Sequence, residues 1–265
     1  MRFEKWQALG NDYLIVEADG LEPERVQALC DRHRGVGADG VLALAPPDEP
    51  GYVARLRIFN LDGSEAELSG NGARQALLYL RARGWTRSQT FSIQTLAGEI
   101  RATITGANTC RTDMGRAKLA GEGEIEGWRF HHIVIGNPQT AIRVEERARL
   151  ETLDLAEIGP PIENAERFPN RTNVSFWTEL APDRIRARIF ERGVGETMSS
   201  GTGATGAAVA AVLRGADSPL TVVLDGGELE VEVGEDLHVD LTGWAVPVYE
   251  GILSDEFLEE LHAAQ

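Results

Sequence analysis

The chain has 265 residues, with 26 basic against 42 acidic side chains, a net charge of −16, and 42% hydrophobic residues. At about 150 residues per domain this is close to two domains with a real core, and an acid excess of this size repels phosphate backbones and argues against a nucleic-acid binder. Cys30 and Cys110 fit no CxxC spacing, which argues against a disulfide scaffold or thiolate zinc site, and no apolar run reaches the roughly 18 residues of a membrane span.

The opening residues, MRFEKWQALGND, hold no apolar stretch of secretory-signal length, and the chain is expected in the cytoplasm. Strands are predicted where apolar and polar residues alternate and the pattern breaks at Gly, Asn or Pro. In chain order these are 5–18, 56–60, 90–104, 130–144, 171–180, 186–190, 220–233 and 237–253. Two helices are predicted, 73–83 (ARQALLYLRAR) and 204–214 (ATGAAVAAVLR). Both carry few charges, as buried helices do, and both end at Arg-Gly, where the glycine can take the left-handed position after the last turn. The Gly-rich, charged stretch 116–127 reads as a linker, and the tail 254–265 as a short amphipathic helix. Lys5 and Lys118 are the only lysines. One falls in an edge-like strand and the other in the linker, so neither suits the Schiff base of a pyridoxal-phosphate enzyme.

An internal repeat dominates the sequence. At an offset of 131 residues, 55–59 (RLRIF) falls on 186–190 (RARIF), Glu65 on Glu196, and Ser69-Gly70 on Ser200-Gly201. Gly72, Ala73 and Ala76 fall on Gly203, Ala204 and Ala207, and Arg83-Gly84 on Arg214-Gly215, with no gap. Gly10-Asn11 also has a counterpart in Gly136-Asn137. Each copy runs from a strand through a Gly/Asp/Ser turn into Ser-Gly-x-Gly-Ala and a buried helix. The fold class this implies is α+β, with two pseudo-symmetric domains, each a central helix wrapped by a curved, mainly antiparallel sheet.

Three familiar motifs fail in context. The run 201–206 (GTGATG) satisfies G-x-G-x-x-G, but a dinucleotide-binding turn should directly follow a strand of a βαβ unit. Here about ten turn-like residues intervene and the surroundings read as antiparallel. Neither Ser69 nor Ser200 lies in a G-x-S-x-G nucleophile elbow. The five histidines show no metal-ligand spacing, and His131 and His132 point to opposite faces of one strand, so no metal is expected.

The duplicated Ser-Gly-x-Gly-Ala remains. Serine is a favoured N-cap, and capping alone would explain one copy. Two copies, each opening a buried helix, suggest more, because the free N–H groups of a helix start bind anions. Two such starts facing each other would hold a carboxylate and place a serine on either side of its α-carbon. That geometry suits removal of a proton from one face and its return to the other.

At these residues the chain resembles the diaminopimelate epimerase family. The resemblance runs nearly end to end, through FEKWQALGNDYLIVE, DRHRGVGADGV, IFNLDGSEAELSGNGAR, IGNPQTAI, PNRTNVSF, ERGVGETMSSGTGATGAA and GWAVPVYEG. It implies an isomerase without cofactor or metal, acting on an amino acid between two similar domains, in lysine and peptidoglycan precursor biosynthesis. The expected domains are 1–118 and 119–246, with the tail 247–265 packing back on the first. The only expected ligand is the small-molecule substrate, with no nucleic acid or membrane partner; a homodimer is compatible with the resemblance. By the family pattern, Asn11, Asn60, Asn137 and Asn173, with Glu191 and Arg192, bind the amino-acid ends of the substrate. Gly70-Asn71 and Gly201-Thr202 present N–H groups to the reactive carboxylate.

The acid/base positions of the family fall on Ser69 and Ser200, where its members have cysteine. The GNP motif, followed in the family by histidine, is followed here by Gln139. A thiol near pKa 8.5 is readily made a thiolate, whereas an alcohol is a weak base until a neighbour activates it. Glu191 is positioned in sequence to assist Ser200 or to act as a base itself; no such partner is evident for Ser69. Three readings fit: engineered cysteine-to-serine changes, which Gln139 argues against; an epimerase working through Glu191 or a bound water; and a catalytically altered homologue. The last would be a dehydratase, as in hydroxyproline-dehydrating relatives with hydroxyl residues at these positions, an isomerase, or a non-catalytic amino-acid binder.

Overall fold

The computed structural model describes residues 1–263; residues 264 and 265, the end of the predicted tail helix, lie outside the described residues. The chain separates into two compact units, residues 1–112 with 244–265, and residues 113–243.

In the first unit, β1 (Arg2–Ala8) and β2 (Asn11–Glu17) form an antiparallel hairpin. Its two-residue turn, Leu9-Gly10, has φ of 53° and 84°, the left-handed backbone that a tight, right-twisted hairpin requires. Glycine adopts it freely, while Leu9 is held there by complete burial. The chain crosses through α1 (Pro23–Cys30) to β3 (Gly40–Ala45), which pairs parallel with β2. Neither element is among the predicted ones: all six residues of β3 are buried, so it shows no alternation. Next, β4 (Arg55–Asn60) lies antiparallel to β3, and the short β5 (Glu65–Ala66) folds back on it. After α2 (Gly70–Ala82), β6 (Thr90–Thr95) returns parallel to β4, and β7 (Gly98–Ile104) and β8 (Thr109–Arg116) follow antiparallel.

The second unit repeats this course. Its strands are β9 (Lys118–Ile125), β10 (Trp128–Ile135) and β11 (Asn137–Arg143), then, beyond α3 (Arg147–Glu151) and α4 (Leu155–Glu163), β12 (Asn173–Ala181). The hairpin of β13 (Arg184–Glu191) and β14 (Gly195–Thr197) leads into α5 (Gly201–Leu213), and β15 (Leu220–Leu224), β16 (Gly227–Val233) and β17 (His238–Trp244) close the unit. The chain then returns to the first unit as β18 (Val246–Ile252), antiparallel to β1, and α6 (Asp255–Ala263).

By pairing, the first unit runs β18-β1-β2-β3-β4-β6-β7-β8 and the second β9-β10-β11-β12-β13-β15-β16-β17. The parallel neighbours, β2/β3 with β4/β6 and β11/β12 with β13/β15, fall at the same two places. The protein is therefore an α+β fold of two units with the same strand order and the same parallel and antiparallel pairings, each mainly antiparallel around one buried helix.

Two expectations need correction. The supposed linker 116–127 is largely strand β9, hydrogen-bonded to β10 through a turn whose residues Glu126 and Gly127 have φ of 48° and 76°. Nearly all of β9 is solvent-facing, so its glycines and charges resemble a loop in sequence although its ladder comes from β10. The surroundings of GTGATG are not purely antiparallel either, since α5 connects the parallel strands β13 and β15; the β13–β14 hairpin still separates its glycines from the preceding long strand. The unit divisions fall at 112/113 and 243/244, within strands β8 and β17.

Each unit has its own core. In the first, Leu253 and Leu261 of the returning tail are buried with Phe3, Leu14, Val26 and Val41, and Phe257 and Leu258 pack against them. In the second, Phe130, Ile142, Leu155, Ile162, Phe176 and Phe190 form one cluster. Among the described residues, no helix is long and apolar enough to cross a membrane.

The glycines of α5 let it lie against its sheet. A Cβ on Gly203 would come within 2.8 Å of Ile189, and one on Gly206 within 2.8 Å of the Gln139 Cβ. Gly206→Ala should therefore lower unfolding free energy by about 1–3 kcal/mol, seen as a reduced urea midpoint at unchanged slope.

Candidate active site

In the first unit, Ser69 caps α2 from an extended backbone (φ −133°, ψ 117°), its Oγ accepting the Gly72 N–H at 3.1 Å. The same oxygen accepts a hydrogen bond from the phenol of Tyr13, at 3.3 Å. Tyr13 is buried in β2, two residues beyond Asn11. The start of α2 is braced from within: Asn71 Oδ1 accepts from the fully buried Arg74 Nη2 at 2.5 Å, and Arg74 Nε donates to the Trp244 carbonyl at 3.0 Å. Gln75 of α2 donates to the Asn11 carbonyl at 3.0 Å, which ties the β1–β2 turn to the helix start.

Asn11 itself donates to Asp39 at 2.9 Å. Beneath it lies a charged cluster in which Asp12 pairs with Lys5 at 2.8 Å and Arg32 at 2.7 Å, and Arg32 reaches Asp39 at 2.9 Å. Burial raises the Asp12 pKa, but hydrogen bonds and charge from Arg32 and Lys5 outweigh it and hold the group at about 2. This cluster makes the turn rigid. Asn60, at the end of β4, donates to Ser64 Oγ at 3.0 Å and is exposed.

In the second unit, Ser200 caps α5 in nearly the same backbone conformation (φ −136°, ψ 123°), accepting the Gly203 N–H at 3.3 Å. It donates to Glu191 Oε2 at 3.0 Å, while Thr197 donates to Glu191 Oε1 at 2.8 Å. Burial raises the Glu191 pKa, and these two hydroxyls oppose the rise only in part. Asn173 Oδ1 accepts the Arg192 N–H at 2.8 Å, and the Arg192 guanidinium donates to the Asn170 carbonyl at 2.7 Å. The turn from β13 to β14 is pinned by the buried Glu163, whose Oε1 accepts from Gly193 N and Arg171 Nη1, both at 3.0 Å. Asn137 accepts from Gln139 Nε2. Gln139 is completely buried under Gly206 of α5, and its Oε1 has no protein partner.

Within each unit, then, the expected residues gather at the helix start: Ser69, Gly70, Asn71 and Asn11 in one, and Ser200, Gly201, Thr202 and Glu191 in the other, where Asn173 and Arg192 are joined by a hydrogen bond. Tyr13, Thr197 and Glu163 were not among the expected site residues. Tyr13 was legible in principle, since residues two apart on a strand share a face and it follows Asn11 by two. Thr197 lies opposite Ile189 in the β13–β14 register, a relation the sequence leaves open. Glu163 stands 30 residues from Gly193 and carries no local signal. Asp113, His238 and Asp240 place ligand-type atoms within 4.8 Å of one another; His238 Nε2 there is 3.2 Å from Asp113 Oδ1, a surface ion pair when the ring is protonated.

The raised Glu191 pKa has a consequence for stability. The folded protein holds this proton more tightly than the unfolded chain does, so its contribution is full below the usual value of 4.5 and is lost as pH rises through the raised one. Glu191→Gln has no proton to lose. Its melting temperature should exceed that of the wild type at neutral pH, and the difference should close below pH 4.5; a difference independent of pH would contradict the assignment.

The profile of the diaminopimelate epimerase family matches residues 3–120 and 132–247. A diaminopimelate epimerase from Synechococcus sp. (strain JA-2-3B'a(2-13)) is 40% identical over 278 residues, spanning 95% of this chain and 97% of that protein. One from Azotobacter vinelandii is 36% identical over 273 residues, spanning 95% and 98%. Among solved structures, a phenazine biosynthesis protein of the PhzF family from Bacillus anthracis superposes with a TM-score of 0.71 at 19% identity, covering 96% of this chain and 99% of that one. A hydroxyproline epimerase from Agrobacterium vitis gives 0.66 at 16%, covering 95% and 91%. These two likenesses are of fold alone. The sequence matches, over nearly the whole of both chains, make this chain a member of the diaminopimelate epimerase family.

Proposed function

We propose that this protein is a cofactor-independent amino-acid epimerase that interconverts LL- and meso-diaminopimelate by two-base proton transfer at Cα, in the supply of lysine and peptidoglycan precursors. The observation that carries the reading is the duplicated cap: each unit ends a turn on a serine that opens a buried helix, and each serine has a second, ionisable hydrogen-bond partner, Tyr13 or Glu191. The reading requires one substrate α-carbon to lie between the two serines.

In such a site the N–H groups at the start of α2 and α5 stabilise the charge that builds on the carboxylate as the α-proton leaves. Donors of this kind are typically worth about 10²–10³ in rate each, because they are already oriented. Asn11, Asn60, Asn137, Asn173 and Arg192 supply polar groups for the amino-acid ends. Glu191, with its pKa raised toward working pH, is the base, and Ser200 carries the proton to it. An alcohol acting alone would be far too weak a base.

A catalytically altered homologue is the second reading, either a dehydratase or isomerase or a binder without turnover. Gln139 favours it: where relatives in the family pattern have an imidazole, this chain has a buried amide that cannot exchange protons.

The two readings separate by α-hydrogen exchange into deuterated water with LL- and meso-diaminopimelate, followed by NMR. Exchange above background supports the epimerase; ligand-induced stabilisation without exchange supports the binder. The double change Ser69→Cys and Ser200→Cys should raise the exchange rate by about 10²–10⁴ if only the strength of the acid/base groups limits it. No rise would mean that more of the site than those two atoms has changed.

A further inference from the structure

The two serines differ in what they have left to offer a substrate. A hydroxyl has one hydrogen to donate and two lone pairs to accept with. Ser69 Oγ accepts from two donors, the Tyr13 phenol at 3.3 Å and the Gly72 N–H at 3.1 Å. Both lone pairs are used, so what remains is its O–H. Ser200 Oγ gives its hydrogen to Glu191 Oε2 at 3.0 Å and accepts only from the Gly203 N–H, at 3.3 Å. What remains there is a lone pair. The resting protein therefore presents a proton donor from the first unit and a proton acceptor from the second.

From this we infer that the sites are specialised, with Ser200–Glu191 removing the α-proton and Tyr13 acting through Ser69 to deliver one. The inference rests on the epimerase reading above and assigns directions to its two steps. On one face the Cα–H bond breaks, and its electron pair stays on Cα and spreads into the carboxylate. The proton passes to Ser200 Oγ as the Ser200 hydrogen passes to Glu191, which becomes neutral. On the other face Ser69 gives its O–H proton to Cα and takes the Tyr13 proton in exchange, leaving a phenolate. The net change is one proton from Cα to Glu191 and one from Tyr13 to Cα, with charge conserved. Solvent then moves the proton from Glu191 back to Tyr13 and resets the protein; the opposite epimer is used from the state with neutral Glu191 and ionised Tyr13.

The relay answers a chemical difficulty. If Ser69 acted alone, its delivery step would leave an alkoxide. Through Tyr13 the charge ends on a phenolate, whose ordinary pKa is about 10. Tyr13 does not touch the carbon; it is a positioning and proton-supplying residue. A separation of 3.3 Å is long for two hydroxyls.

The test separates exchange from inversion in the full-length protein. LL- and meso-diaminopimelate are incubated separately in deuterated water with the wild type and with Tyr13→Phe, and both deuterium uptake with retained configuration and inverted product are followed. In Tyr13→Phe, one epimer should keep its exchange with retention to within about twofold, because Ser200–Glu191 is intact, while inversion falls by about 10² or more. Ser69→Ala should give the same split, which guards against a Tyr13 variant that fails to fold. Unchanged inversion in both variants overturns the relay. So does an equal loss of exchange and inversion in folded protein, the mark of a merely structural role. A wild type silent in both measurements overturns the epimerase reading, and the relay with it.

Discussion

A helix that begins inside a wrapped sheet has backbone N–H groups to satisfy where water is scarce, and most of what is distinctive here follows from that constraint. Serine meets part of it at both starts by accepting the N–H three residues on. The third residue of each helix is glycine because the sheet is so close: a Cβ on Gly72 would lie 3.1 Å from Leu42, and one on Gly203 2.8 Å from Ile189. A helix start held this firmly keeps its N–H dipoles aimed in a fixed direction, the arrangement that in general favours an anion.

The two units share a frame and differ in their side chains. Tyr13 and Gln139 are each the third residue of their strand, opposite the first residue of the parallel neighbour, Gly40 or Asn173. In the first unit this place provides the partner of the capping serine; in the second it is packed under Gly206. Asn60 and Glu191 likewise both end their strands, but only Glu191 hydrogen-bonds to the cap. One backbone thus supports two different hydrogen-bonding environments around the capping serine. Conformation is set by the ladder and the burial of each helix, whereas protonation is set by a few side chains, which can change without disturbing either.

Much of the frame was legible in sequence because its signals are local. Alternation marked the half-buried strands, Ser-Gly-x-Gly-Ala marked both helix starts, and Arg-Gly marked both ends. β3 escaped because a strand buried on both faces does not alternate, and α1 because an eight-residue helix is too short to show a period. β9 escaped for the opposite reason, since an exposed edge strand is held by its neighbour's backbone and its own side chains need carry no pattern.

By itself, the sequence determined which residues open each helix, that the architecture is repeated, and which family the pattern resembles, since each is written in residue type and spacing. Only the tertiary structure decided what surrounds each serine. Tyr13 meets Ser69 across 56 residues and Glu163 secures Gly193 across 30, contacts that depend on strand register and parallel crossings. Whether a hydroxyl has a hydrogen or a lone pair left over depends on its neighbours in space, and spacing along the chain does not specify those.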